Sequence, residues 1–260
     1  MNRRTFLGGA ITGAAATIGA RVLQSSSEPV PEPAPQPVAP ALPEHARLSF
    51  SQQGEDLLLY HAAHDVLRLD RPSYMDVGAA YPIQGNNTYL LYTTGSRGVL
   101  VEPNSAFTAD LRAFRPGDVV VQAGIGVAEQ AEADYYEIKG NPMLNTFSAA
   151  QVAALEKERG EPVVERIVKM PLVNINDAIA RHLGRAPDIL STDVEGLDYD
   201  ILVSLDLGRF RPAVICAETQ LESRTGRPTP IARYLAARGY TPRGGSMYNT
   251  IFIDRRRMVA

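Results

Sequence analysis

Four carboxylates stand where chemistry could be done. Asp76, Glu102, Asp193 and Glu218 each close a short apolar run of the kind that forms a buried strand. In a parallel sheet such strands are covered on both faces, and ligands bind outside their carboxyl ends. The four acids are therefore expected along one rim. Gly78, Ala79 and Ala80 follow the first of them, and small residues there let a backbone approach a ligand closely, the build of a nucleotide-type cofactor site. The full G-x-G-x-x-G of a nicotinamide or flavin site is absent.

Glu102 lies about twenty-five residues beyond the glycine turn, close to the spacing at which a carboxylate accepts hydrogen bonds from both ribose hydroxyls of an adenosine. Asn104 follows two residues later, and Ala123-Gly124-Ile125-Gly126 supplies small residues able to line a flat-ring pocket or to form a turn. The cofactor-binding candidates are thus Asp76, Gly78, Ala79, Glu102, Asn104 and Gly124.

Asp193 and Glu195 are two apart and share one face if the backbone stays extended, which makes them the catalytic candidates. Asp193 would be the acid nearest the reacting centre and a possible base, with Glu195 positioning substrate or loop. The competing reading is a pair of acids stabilising the next helix N-terminus. A second alternative gives Asp193, Glu195 and Glu218 to a hard divalent cation held through oxygen, although no histidine or cysteine joins them.

Other reactive types read as structural. His61 and His64 fall three apart on a helix without a third ligand, and His182 suits the last turn of another helix. Cys216, the single cysteine, sits in an apolar strand and excludes an intramolecular disulfide.

The elements that must position these acids alternate. A helix starts after Ser51, its expected N-cap, with Leu58, Ala62 and Val66 on one face. The strand around Tyr74 then leads to a helix at Tyr89, capped within Gly85-Asn86-Asn87-Thr88. A strand at Gly98, a helix from Ser105 and a strand from Asp118 to Gln122 complete a βαβ pattern. Ala133 to Ile138 reads as an additional strand, Asn141 to Phe147 as a substrate-type loop, and Ser148 caps a helix to Arg159. Val163 to Leu172 alternates apolar and polar residues like a strand near an edge. After the strands at Asp188 and Ala213 a helix from Pro230 precedes a hairpin, Gly239 to Asp254, which requires one antiparallel strand.

Length and composition fit one globular domain with something added: 260 residues, 45% hydrophobic, net charge −3. No basic excess points to nucleic acid. Residues 1–24 open with Arg3-Arg4-Thr5-Phe6-Leu7 and a mild glycine- and alanine-rich run, similar to a twin-arginine export signal and too short for a comfortable membrane span. That predicts periplasmic or extracellular delivery. Residues 25–47 are proline-rich and read as an extended tether, which leaves residues 48–260 as the folded domain.

Taken together, Ser51-Gln52-Gln53-Gly54-Glu55-Asp56, Asp76-Val77-Gly78-Ala79 with Pro82, Gly85-Asn86-Asn87-Thr88-Tyr89-Leu90, Arg97-Gly98, Val101-Glu102-Pro103-Asn104, Asp193-Val194-Glu195-Gly196-Leu197-Asp198 and Asn249-Thr250-Ile251-Phe252 resemble the FkbM family of S-adenosylmethionine-dependent methyltransferases. The resemblance implies an α/β, Rossmann-like class I methyltransferase sheet, mostly parallel, with an antiparallel strand in the C-terminal hairpin and helices on both faces. It also implies S-adenosylmethionine as cofactor and O-methylation of a hydroxyl on a sugar or other small natural product. Asp76 and the amides around Gly78 would then hold the methionine moiety and Glu102 the ribose. One departure is Thr219-Gln220 after Glu218, where relatives often carry a histidine. An export signal ahead of an enzyme using a cytoplasmic cofactor leaves a third reading, an exported domain that binds ligand without catalysis.

Overall fold

A computed structural model describes residues 46–194, 196–219 and 229–258. The signal-like segment and nearly all of the proline-rich stretch fall outside them, as do Glu195 and residues 220–228.

Seven strands form the central sheet: β1 (Tyr74–Val77), β2 (Gly98–Val101), β3 (Val119–Val121), β7 (Ile189–Thr192), β8 (Val214–Glu218), β9 (Tyr240–Gly245) and β10 (Asn249–Asp254). Their order is β3-β2-β1-β7-β8-β10-β9. The strands from β3 to β8 run parallel, and β10 is antiparallel to both β8 and β9. This is the expected sheet, with its reversed strand inside the C-terminal hairpin. The chain crosses from the β1 side to the β7 side between neighbouring strands, and that switch point is where open α/β sheets bind ligands.

Helices cover both faces. Met75, Val77, Leu190, Ile215 and Phe252 point to α5 (Ile175–His182), α6 (Asp198–Ser204) and α7 (Pro230–Ala237), which bury Ile179, Ile201 and Leu235 against them. Tyr74, Leu100, Ile189, Cys216 and Ile251 point the other way, toward α1 (Glu55–Tyr60) and its π-helical continuation (His61–Val66), α2 (Tyr89–Thr93) and α3 (Ser105–Phe114). Period-2 alternation across strands that are buried throughout sorts the core into these two layers.

Two elements differ from expectation. Ser51 is not the N-cap of α1; the helix begins at Glu55 after Gly54 in the left-handed region, and the Ser51 hydroxyl, three residues before Gly54, accepts from the Gly54 amide and from the first-turn amide of Asp56. The buried face runs through Leu59, Ala62 and Ala63, and Val66 is exposed. The π-helical turn widens the register there, since each residue advances less around the axis than in an α-helix. Glu55 and Asp56, the acids of the first turn of α1, are fully buried. Asp56 accepts from the Phe50 amide and the Ser49 and Ser51 hydroxyls, which ties the incoming chain to the helix.

The second difference is the Val163–Leu172 stretch. It belongs to β6 (Val164–Asn174), the central strand of a separate three-stranded sheet, β4-β6-β5, with β4 (Gly124–Gly126) parallel and β5 (Glu132–Ile138) antiparallel to it. One side of this small sheet faces solvent, so the strand alternates as an edge strand would. Ala123-Gly124-Ile125-Gly126 is accordingly mostly strand. Ser148 caps α4 (Ala149–Arg159) through the Gln151 amide. Among the described residues no helix is long and apolar enough to cross a membrane.

Candidate functional site

The register puts three of the four acids in one row. Val101, Val77, Thr192 and Ala217 are paired across β2, β1, β7 and β8, so Glu102, Asp193 and Glu218 each lie one residue beyond that row. Asp76 lies one residue before it.

The turn after β1 meets the turn after β7 at Gly78. Its φ is +83°, and a Cβ there would overlap the carbonyl oxygen of Asp193. Glycine is required on both counts. The Asp193 amide donates to the Val77 carbonyl at 3.0 Å, which extends the pairing one step past the strands. Around the turn the Gly78 and Ala79 amides both donate to the Val101 carbonyl, at 2.9 and 3.3 Å, and the Ala80 amide to Glu102 Oε2 at 2.9 Å. What the turn contributes to the cleft is room and shape, because these three donors are engaged within the protein.

Between these strand ends lies a cleft of about 870 Å³, part of it open to solvent, lined by Asp76, Gly78, Ala79, Glu102, Gly124 and Asp193 among others. Phe107, Ile125, Tyr135 and Phe147 supply apolar wall, and Gln52, Asn87 and Asn145 polar wall. The expected loop from Asn141 to Phe147 does face this cleft through five of its residues: Pro142, Met143, Asn145, Thr146 and Phe147.

Glu102 is 4% exposed. Oε2 accepts from the Ala80 amide and Oε1 from the Asn104 amide at 2.8 Å, so the carboxylate is clamped with one further lone pair free on each oxygen. Burial pushes its pKa up to about 7; the two amide bonds oppose the rise and the Asp76 charge adds to it. Asn104 itself is not among the residues lining the cleft. Its side chain caps α3 by accepting from the Ala106 amide, and its amide holds Glu102. Gly124 does line the cleft, and a side chain there would drive into the Phe147 ring and Leu172.

Asp76 is buried and its pKa is raised, chiefly by burial, against a hydrogen bond from Thr88 and the nearby Arg115 charge. Thr88 Oγ1 donates to Asp76 Oδ2 at 2.7 Å. Behind Thr88 stands Arg115, fully buried and ion-paired with Asp118 at 2.8 Å. The sequence offered Asn86 and Thr88 as helix cap and family motif without a site role, and did not mark Arg115. The signal for the first two was an excess: Gly85-Asn86-Asn87-Thr88 carries three polar side chains where one cap suffices, and Thr88 makes no side-chain capping bond. Arg115 carried no signal at all.

Asp198, first residue of α6, is also buried, and burial pushes its pKa up to about 6 against hydrogen bonds that include one from the Val194 amide, at 3.4 Å. It braces the loop that carries Asp193. Glu195 lies outside the described residues, and Glu218, last residue of β8, is not among the residues lining the cleft. Among the described residues no group of three or more His, Cys, Asp or Glu could hold a metal ion. His61 pairs with Asp65 at the surface, and Cys216 is a buried free thiol. His182, expected to carry charge at its helix end, has its pKa lowered by burial and by Arg181.

Residues 76–242 match the family described as "Methyltransferase FkbM domain". The chain belongs to the FkbM methyltransferase family. Solved structures similar to this FkbM domain include a methyltransferase from Geobacter sulfurreducens, at 12% identity and TM-score 0.42, covering 76% of this chain and 77% of that one. A TehB-like SAM-dependent methyltransferase from Corynebacterium glutamicum aligns at 10% identity and TM-score 0.40, over 78% and 89% of the two chains. An O-methyltransferase from Bacillus cereus in complex with SAH aligns at 14% identity and TM-score 0.37, over 82% and 83%. No curated protein matches this chain.

Proposed function

We propose that this FkbM domain binds S-adenosylmethionine in the cleft at the ends of β1, β2 and β7 and methylates a hydroxyl on a small acceptor, a sugar or other natural product. The observation that carries the reading is Glu102, a buried carboxylate fixed by two backbone amides at the end of the strand next to the glycine turn, with lone pairs left for a diol. The residues fit the cofactor by donor chemistry: an acceptor for two hydroxyls, an apolar wall at Phe107, Ile125 and Phe147 for a flat ring, and a turn stripped of side chains at Gly78.

The chemistry such a cofactor supplies is a methyl group on a sulfonium, whose in-line transfer removes positive charge. The protein therefore has mainly to align the reactants. Glu102 would hold the ribose hydroxyls and Asp76 the amino-acid end. A hydroxyl acceptor must lose a proton, and a carboxylate within hydrogen-bond reach can take it. Asp193, on the cleft wall at the end of β7, is the group we assign to that step, with Glu195 positioning the acceptor. Delivery outside the cytoplasm, suggested by the paired arginines, is part of the same proposal. A reporter fused to residues 1–47 and retained in the cytoplasm would remove it.

Calorimetry of the full chain with S-adenosylmethionine tests the central reading. Saturable one-site binding is expected, and no detectable heat or displacement at millimolar ligand would overturn it.

A further inference from the structure

Arg115 ends α3 and lines no part of the cleft, yet it is fully buried and donates to four side chains, two of which lead there. Nε donates to Asp118 Oδ2 and Nη2 to the Tyr74 hydroxyl, each at 2.8 Å. Its remaining bonds go to the segment before α2: Nη1 to Asn86 Oδ1 at 2.8 Å and Nη2 to Thr88 Oγ1 at 3.1 Å. From there two relays run on. Thr88 Oγ1 donates to Asp76 Oδ2 at 2.7 Å, and Asn86 Nδ2 donates to the Ala79 carbonyl at 2.9 Å.

We propose that Arg115 is a positioning residue for the cofactor turn, holding Asp76 through Thr88 and the Ala79 carbonyl through Asn86. The two relays grip the turn on either side of Gly78. That is where it needs support, because Gly78 and Ala80 both have positive φ and Ala80 is not a glycine. The geometry also explains why position 88 carries a hydroxyl. Its single hydroxyl accepts from Arg115 while donating to Asp76, which couples the buried cation to the buried acid without contact between them. The counter-charge stays local: Asp118 neutralises Arg115 and also accepts from the Gly98 amide, so the network is anchored to the start of β2.

The assignment of Asp76 to the cofactor rests on the proposed function, whereas the grip on the turn does not, and the experiment separates them. Hydrogen exchange at the amides of residues 78–80 reads the turn without ligand. Thr88→Val and Asn86→Ala should each speed exchange there by about tenfold or more while amides of β8 and β10 keep wild-type rates. Thr88→Ser, which restores the hydroxyl, should return it toward wild type. Arg115→Met should do the same as Thr88→Val; if it fails to fold, the two relay variants carry the test. Unchanged exchange at 78–80 in both relay variants overturns the proposal whether or not ligand binds. Where wild type binds S-adenosylhomocysteine, Thr88→Val should weaken it about tenfold, and that loss should largely vanish in an Asp76→Asn background. Additive losses overturn the Asp76 relay. Failure of wild type to bind at all overturns the cofactor reading and leaves the exchange result standing.

Discussion

The carbonyl oxygen of Asp193 occupies the space that a side chain on Gly78 would need. The two turns that build the cleft, one after β1 and one after β7, are therefore in backbone contact, and any residue but glycine must push them apart. Gly78→Ala combines that overlap with a φ of +83°, so we expect a destabilisation of roughly 2 kcal/mol or more, and loss of S-adenosylhomocysteine binding along with it. Thermal unfolding and calorimetry on the same sample check both, and a variant with wild-type midpoint and affinity would show that the contact is slack.

Glu102→Ala is expected to weaken S-adenosylmethionine binding more than about tenfold, because two hydrogen bonds to an ionised acceptor are removed at once. The fold should persist, since Glu102 and Ala80 line an open cleft from which water can enter and take over the hydrogen bonds that the carboxylate leaves. Unchanged affinity in calorimetry would sink the ribose assignment.

The raised pKa of Glu102 makes stability depend on pH with a definite sign. Its pKa is about 7 in the folded chain against an ordinary 4.5, so the folded state holds a proton that the unfolded state has released. Stability must then fall as pH rises through that window, by at most about 3 kcal/mol for this one group, and level off above it. Asp198, at about 6, adds a change of the same sign over a narrower window. Glu55 and Asp188 act oppositely. Burial raises both, but hydrogen bonds outweigh it and leave them lowered, so their stabilisation is present at neutral pH and is lost only below the ordinary carboxylate range. Urea midpoints should therefore drop between pH 5 and pH 8, and drop less in Glu102→Gln. Equal midpoints for wild type at the two pH values would contradict the burial of Glu102.

The same ionisation predicts how ligand binding titrates. A carboxylate that must accept from a diol works best ionised, so affinity for S-adenosylhomocysteine should rise with pH through about 7, by about tenfold between pH 6 and pH 8 if only the ionised form binds. Glu102→Gln should bind weakly and without that dependence. A pH-dependent Gln variant would move the titrating group elsewhere.

What the residues disclosed ahead of the structure was local and periodic. Buried strands announce themselves by β-branched and apolar runs, and Asp76, Glu102, Asp193 and Glu218 all stand within a residue of a strand end. The reversed strand followed from a hairpin too short for a crossover. Hidden were relationships that pair distant residues through side chains of ordinary type. Arg115 and Tyr74 are forty-one positions apart, and neither has a spacing that marks it. The role of β6 was hidden because alternation reports one wet face and says nothing of which sheet the strand joins. Asn104 was expected to bind cofactor; its side chain caps α3 and its amide holds Glu102, an arrangement that spacing alone does not disclose.

Asp193 presents its main chain to the two turns, its amide to Val77 and its carbonyl against Gly78, so the side chain can be changed without disturbing either contact. Asp193→Asn keeps the size and removes the basic oxygen. If Asp193 takes the acceptor's proton, methyl transfer to hydroxyl acceptors should fall by about a hundredfold or more while affinity for S-adenosylhomocysteine stays within about twofold. Transfer of a labelled methyl to a panel of sugars and phenols, run beside calorimetry, reads both quantities. Equal transfer by the variant would exclude the carboxylate as base. Loss of binding in place of transfer would assign Asp193 to the cofactor and leave the proton to another group on the rim.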